Sequence, residues 1–266
     1  MGKPGAALPM TDEEVLRRMR GMSRRSFTVG GIAALAGLGA WSWLRTRELE
    51  DGIPWPLRRV LQMNERIAQG YFKNTRLAPG FPVAQARMPR VNGDLGLGED
   101  FDPSHWKLRL EKPGRLRLEL SLADIKALPR VEMVTELKCI EGWSDPVSWA
   151  GARLVDLTAK LRLATRADTA IDAAAPHELY SYASLDTPDG GYFVGLDMKS
   201  ALHPQTLLCY EMNGAPLTLD HGAPLRLVIP VKYGIKNIKR IGTIRFSDQR
   251  PADYWARRGY DWYAGH

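Results

Sequence analysis

The sequence predicts a mixed α+β domain, mostly strands, preceded by an N-terminal apolar helix. Three observations predict it. From Trp106 onward, apolar and charged residues alternate in short runs, the period of half-buried strands. The dipeptides Pro113-Gly114 and Asn213-Gly214 punctuate those runs as turns. Ahead of them, the 18 residues from Phe27 to Leu44 carry no charge and are rich in Gly and Ala.

In chain order, residues 11–20 (TDEEVLRRMR) read as a short helix, with Thr11 and Glu14 spaced as a capping box. Residues 23–29, Ser-Arg-Arg-Ser-Phe-Thr-Val, match the twin-arginine export pattern, with the apolar run directly behind. The alternative is a buried helix behind two surface arginines. No Ala-x-Ala cleavage site follows; Trp41, Trp43, Arg45 and Arg47 do, and they suit a membrane interface. The run is just long enough to span a bilayer. The expectation is a cytoplasmic leader at 1–22 and an uncleaved export signal and anchor at 23–47. Twin-arginine transport carries folded proteins, so a cofactor inserted beforehand travels with the chain.

Pro54 and Pro56 open a second helix, in which Leu57, Val60, Leu61, Asn64, Ile67, Ala68 and Tyr71 fall on one face. Asn64 is the polar member of that stripe. It is either a core Asn satisfied by backbone or an amide reaching a buried polar ligand. Residues 74–104, rich in Pro and Gly, read as a surface-hugging connection. Strands follow at 106–110 and 116–120, then a short helix capped by Ser121 and Asp124, then a strand at Val131–Thr135 with Cys139 just past its end. Leu154, Leu157 and Leu161 mark a helix. Further strands are expected near 179–184, 191–195, 206–212, 225–230 and 241–246. The main domain is placed at 105–250, with 48–104 as helix and connection and 251–266 as a tail.

Composition narrows the function. With 44% apolar and 25% charged residues, the 266-residue chain is ordinary globular protein. The net charge of +7 allows nucleic acid, an anionic membrane or an acidic cofactor as partner. Two cysteines, Cys139 and Cys209, make no disulfide framework and no four-cysteine zinc site, though one disulfide remains open in an exported chain. There is no CxxCH for covalent haem and no HExxH for zinc. Nucleic acid is disfavoured by the export signal and by the absence of a recognisable binding motif.

Three segments carry chemistry. Lys138-Cys139-Ile140-Glu141-Gly142-Trp143-Ser144 offers a lone thiol at a strand end, either a soft-metal ligand or an inert buried thiol. His221-Gly222-Ala223-Pro224-Leu225-Arg226 is a tight turn bracketed by two basic residues. Residues 232–240 (KYGIKNIKR) form a basic loop, either a phosphate cradle or a solvated surface.

Taken in order, CIEGW at 139–143, HGAPLR at 221–226, KYGIKNIK at 232–239 and IGTIRFSD at 241–248 resemble the molybdopterin domain of the sulfite-oxidase family. The nearest branch is that of twin-arginine-exported protein-methionine-sulfoxide reductase catalytic subunits. The resemblance covers roughly residues 55–250. It implies a sulfite-oxidase-type fold, with Mo-molybdopterin as cofactor and Cys139 as the metal ligand. It implies that Arg226, Asn237, Ile238 and Lys239 hold the pterin phosphate. His221, Asn64 and, more loosely, Ser184 take cofactor-contacting positions, and Glu141 sits beside the thiolate as a catalytic residue. His221 follows the sulfite-oxidase pattern where the reductase branch has Asn.

The chain departs from sulfite oxidases proper. CIEGWS replaces their Cys-x-Gly-Asn-Arg pattern, and neither a haem domain nor a dimerisation domain is expected. The implied protein is a monomeric catalytic subunit, exposed outside the cytoplasmic membrane. It acts on a small S-oxide and exchanges electrons with a membrane haem b partner. The alternatives are sulfite oxidation on the same fold and a metal-free envelope binding module, which would have no need of Cys139.

Overall fold

A computed structural model describes residues 11–98, 101–114 and 118–266. The chain divides into two compact units, the first holding residues 11–49 with 54–56 and the second nearly everything else. In the first unit, α1 (Asp12–Arg45) is one continuous helix that takes in both the expected short helix and the apolar run. Its N-terminus carries the expected capping box of Thr11 and Glu14. The helix is long and apolar enough to cross a membrane, and none of its residues is buried. At its end Arg47 lies over the Trp43 ring.

Two short strands, β1 (Leu49–Glu50) and β2 (Ile53–Pro54), lead into α2 (Trp55–Tyr71). The stripe that periodicity assigns to the core is buried only in part, with Leu61 and Ala68 half-buried and Ala68 packed against the cluster of Ala256, Trp262 and Tyr263. Val60, Ile67 and Tyr71 are exposed, and the helix buries Arg58 and Glu65 instead. The reason is polar. Arg58 donates to the carbonyls of Asp51, Ala256 and Tyr260, and Glu65 accepts from Arg250. Period fixes which residues share a face, but not which face finds partners.

The second unit is built on two five-stranded sheets. One runs β10 (Ala215–Pro216), β9 (Leu207–Met212), β6 (Ser144–Arg153), β5 (Arg130–Lys138), with β11 (Arg226–Val228) also paired to β9. The other runs β4 (Leu118–Leu120), β3 (Leu108–Glu111), β12 (Thr243–Ser247), β7 (Tyr182–Asp186), β8 (Phe193–Asp197). All pairings are antiparallel except β12 with β3. Leu108 and Leu110, Ala183 and Leu185, Val194 and Leu196, Ile244 and Phe246 enter one core with Leu208 and Leu227 of the first sheet. The opposite face of the first sheet buries Val147, Trp149, Leu207 and Cys209 in a second cluster. The middle of that sheet is therefore covered on both faces, and its strand β9 (LLCYEM) reads as a nearly continuous apolar run.

The strand-rich α+β expectation holds, with differences in detail. Strand β6 is not among the expected strands, and β5 runs on to Lys138, past the expected end at Thr135. The residues Arg115, Leu116 and Arg117 of the first expected hairpin lie outside the described residues. Residues 251–266 are not a loose tail: Asp253, Ala256, Trp262 and Tyr263 are buried. Asp253 accepts from Lys236 Nζ at 2.5 Å and from the Gly195 amide at 3.2 Å, which fastens this segment to β8.

Candidate functional site

A cleft of about 450 Å³ opens where the β5–β6 turn meets the loops before and after β11. Strand β5 delivers Cys139 to its rim. The Cys139 amide donates to Trp143 O at 2.9 Å, and the Gly142 amide returns to Cys139 O at 3.2 Å. Gly142 has φ +88°, a conformation that glycine tolerates best, and so closes this five-residue turn. The turn holds Cys139, Glu141 and Trp143 in the cleft wall. Asn92 Nδ2 approaches both Cys139 Sγ (3.5 Å) and Glu141 Oε2 (3.4 Å), and Trp143 Nε1 donates to the same carboxylate oxygen at 3.0 Å.

The opposite side is cationic. Arg226, at the start of β11, is 3% exposed, yet it lines the cleft. Its guanidinium lies 5.0 Å from the Trp149 ring centroid, Nη1 reaches His221 O, and Nη2 reaches Asn237 O. Burial lowers its pKa to about 10, and no carboxylate pairs with it. Its Nε has no hydrogen-bond partner among the described residues. Lys239 donates to Asn92 O and Gly93 O at 3.0 and 2.9 Å; burial, then Arg226, bring its pKa down to about 8. His221 is held low by burial, then by Arg226 and Lys239. Gly222, at φ +94°, lets this turn close on the next one. A Cβ there would lie 2.8 Å from both Lys239 Cβ and Arg240 N.

Of the residues expected here, Cys139, Glu141, His221, Arg226, Asn237 and Lys239 line the cleft. Asn237 does so while clamping its own loop, accepting from Ile229 N and donating to Tyr233 O. Three do not line it. Ile238 is a core side chain whose carbonyl accepts from Leu227 N. Ser184 sits within β7 between β12 and β8. Asn64 is exposed on α2. The amide at the thiol is Asn92, from the 74–104 connection, which also brings Arg90 within 5.8 Å of the Trp143 ring centroid.

The basic loop is likewise not a uniform cradle. Lys236 pairs with Asp253, Arg240 donates to the carbonyls of Ala223, Gly98 and Leu219, and Lys232 is buried against Tyr263. Of its four cations, only Lys239 lines the cleft. Trp149 lies in the core beneath Arg226 and does not line the cleft. Cys139 and Cys209 are free thiols, which answers the open disulfide question.

The donor set suits an anionic metal-bearing cofactor. Among the described residues, no group of three or more His, Cys, Asp or Glu is placed to hold a metal. The buried Arg226 with its orphaned Nε offers a charge-assisted partner to a phosphate.

Residues 96–255 match the family model described as the oxidoreductase molybdopterin-binding domain. This chain belongs to that family. Like other members of the molybdopterin-binding oxidoreductase family, it is an oxidoreductase that uses molybdopterin. A protein of Azospira oryzae assigned as the YedZ1 subunit of a protein-methionine-sulfoxide reductase is 31% identical over 249 residues, covering 92% of this chain and 87% of that one. The protein-methionine-sulfoxide reductase catalytic subunit MsrP of Xanthomonas campestris is 38% identical over 57% of this chain and 48% of its own length. The MsrP of Campylobacter jejuni is 34% identical over 64% and 59%. The match thus spans about half the length of these two MsrP relatives.

Proposed function

We propose that this protein is an exported, membrane-tethered catalytic subunit that reduces a small S-oxide. The sulfoxide takes up two protons and two electrons, its sulfur–oxygen bond breaks, and sulfide and water leave. The electrons come from a membrane haem b partner. The observation that carries the reading is the placement of the Glu141 carboxylate at the Cys139 thiol, with Asn92 joining the two. A carboxylate there repels a dianion such as sulfite and suits a neutral S-oxide. The methionine-sulfoxide reductase relatives named above point the same way.

The residues divide the work. Cys139 is the protein's metal ligand. Arg226 and Lys239 anchor the cofactor phosphate, with Asn237 shaping the loop around it and His221 beside them. When bound, the molybdenum centre supplies two-electron oxo transfer. Glu141 Oε2 is fixed by Asn92 and Trp143, which leaves Oε1 to pass protons to the departing oxygen. Trp143, Trp255 and Tyr260 give the cleft aromatic walls that exclude water. The domain divisions follow the same reading, with 1–22 as leader, 23–47 as export signal and anchor, 48–104 as helix and connection, and 105–250 as the catalytic domain, against which 251–266 packs.

Sulfite oxidation is the second reading, favoured by His221 and the additional cation Arg90 in the same cleft. Two assays on one molybdenum-loaded preparation decide between them. The first follows dye-coupled reduction of methionine sulfoxide or dimethyl sulfoxide, and the second follows ferricyanide-coupled oxidation of sulfite. Sulfoxide turnover without sulfite turnover is expected; the reverse pattern overturns the direction.

A further inference from the structure

We propose that α2 and a second cleft at its C-terminal end dock on an anionic phospholipid bilayer. The outward apolar side chains of α2 would enter the interface, and the cleft would take a phosphate head group. The proposal rests on the reading of α1 as a membrane anchor.

The first observation is the reversed helix. With Arg58 and Glu65 turned inward, Val60, Met63, Ile67 and Tyr71 project from the other side, 50, 52, 52 and 69% exposed. Their spacing puts them in one row. Arg59 and Arg66 are exposed along its flank. An apolar row edged by arginines on an amphipathic helix is the composition that lies in a membrane interface. In water the row forgoes about 25 cal/mol for each Å² of apolar surface it could bury.

The second observation is independent. Beyond Tyr71 the row runs into a cleft of about 470 Å³, lined by Tyr71, Phe72, Lys73, Arg76, Leu77 and Lys138 among others. Among the described residues, no aspartate or glutamate side chain lines it. Lys138 has Glu136 at 3.7 Å, outside hydrogen-bond distance. Below the lining, Lys232 is 2% exposed, with Nζ 5.9 Å from the Phe72 ring centroid and 3.7 Å from Asp197 Oδ1, and without a hydrogen-bond partner among the described residues. His266 adds no positive charge of its own, since burial and the two lysines hold its pKa near 4 and its ring neutral. Apolar walls with a cationic rim fit a phosphate ester carrying an apolar body.

A bilayer is favoured over a soluble anion or a protein by two features. The apolar row and the basic cleft share Tyr71, so one surface offers both parts of a lipid. Only nine residues, 46–54, separate α1 from α2 in sequence, a tether of at most about 30 Å.

The test uses the full chain reconstituted in vesicles, with benzoylphenylalanine replacing Leu35 in α1, Ile67, Tyr71 or the exposed Lys160. After photolysis, adducts are read by mass spectrometry. The vesicles are phosphatidylcholine alone or phosphatidylcholine with phosphatidylglycerol. Lipid adducts are expected at Leu35, Ile67 and Tyr71 but not at Lys160. The Tyr71 adduct should favour phosphatidylglycerol, and that preference should fall roughly fivefold for each cation removed in Lys73→Gln and Arg76→Gln. Adducts at Leu35 alone overturn the docking face and leave the anchor standing. Adducts at none of the positions overturn the anchor and the docking with it. Cross-linking of Ile67 to protein instead of lipid in native membranes overturns the choice of a bilayer.

Discussion

Cys139 and Cys209 are the same residue type in opposite circumstances. Cys139 stands at the cleft with Asn92 beside its sulfur, whereas Cys209 is buried in the second core, its thiol pushed up to about 12 by burial. Cys139→Ala should therefore abolish turnover and release molybdenum, while Cys209→Ala should keep both; metal analysis beside the dye assay checks this. Equal losses would remove Cys139 from the ligand role. Arg226 is the second residue whose chemistry is specific. A lysine lacks the planar fork that reaches two carbonyls and leaves Nε for a third acceptor. Arg226→Lys should lower molybdenum content more than melting temperature, as measured on one preparation. Asn92→Ala should loosen Glu141, which keeps its Trp143 bond, and cut kcat by about a hundredfold, the low end of the range for a proton-transfer group, with cofactor content kept.

At the scale of elements, the Lys236–Asp253 pair is the contact that can be broken cleanly. Both side chains are buried, and Asp253 also holds the amides of Gly195, Trp255 and Ala256. Asp253→Ala should cost about 3–5 kcal/mol by leaving a buried ammonium uncompensated, and adding Lys236→Met should recover part of the loss. Denaturant unfolding of both variants tests it. The same scale shows what the sequence makes legible. Strands β3, β7, β8, β9 and β12 are readable from apolar runs and turn dipeptides, and the cleft residues at 139–143, 221–226 and 237–239 are readable because each group is contiguous. Strand β6 is hidden because SDPVSWAGAR, buried along most of its length, has no alternation and contains Pro146 and Gly151. Gly151 marks the register shift against β9, where a Cβ would fall 2.2 Å from Leu208 O. Asn92 and Arg90 are hidden for another reason. They ride an irregular connection whose path is set by tertiary contacts, and no period points to where such a chain passes. Asn64 stands out in the sequence because it interrupts an apolar stripe, but that stripe is exposed at Asn64.

The whole molecule should respond to pH through its C-terminal segment. His266 has its pKa lowered to about 4 from the ordinary 6.5, chiefly by burial and then by Lys138 and Lys232. Between those values the unfolded chain binds the proton and the folded chain does not, so folding stability falls as pH drops from about 6.5 toward 4. Melting temperatures across that window should decline less steeply in His266→Gln than in the parent. The proposed export is the other whole-chain prediction. Replacing Arg24 and Arg25 together with Lys should leave the protein in the cytoplasm; fractionation that still finds it outside would refute the twin-arginine reading. The cleft also has a bearing on the timing of synthesis. Its walls run from Pro89 to Tyr260, so it does not exist on a ribosome that has made only part of the chain. The paired arginines emerge first, and at about 5–20 residues per second the last wall residue follows them by tens of seconds. On the proposed twin-arginine reading, the export signal is present throughout that interval and the cofactor has nowhere to bind. That reading requires departure to wait until translation has ended and the metal is in place, and any agent that shields Arg24 and Arg25 during that delay would determine whether the protein leaves loaded or empty.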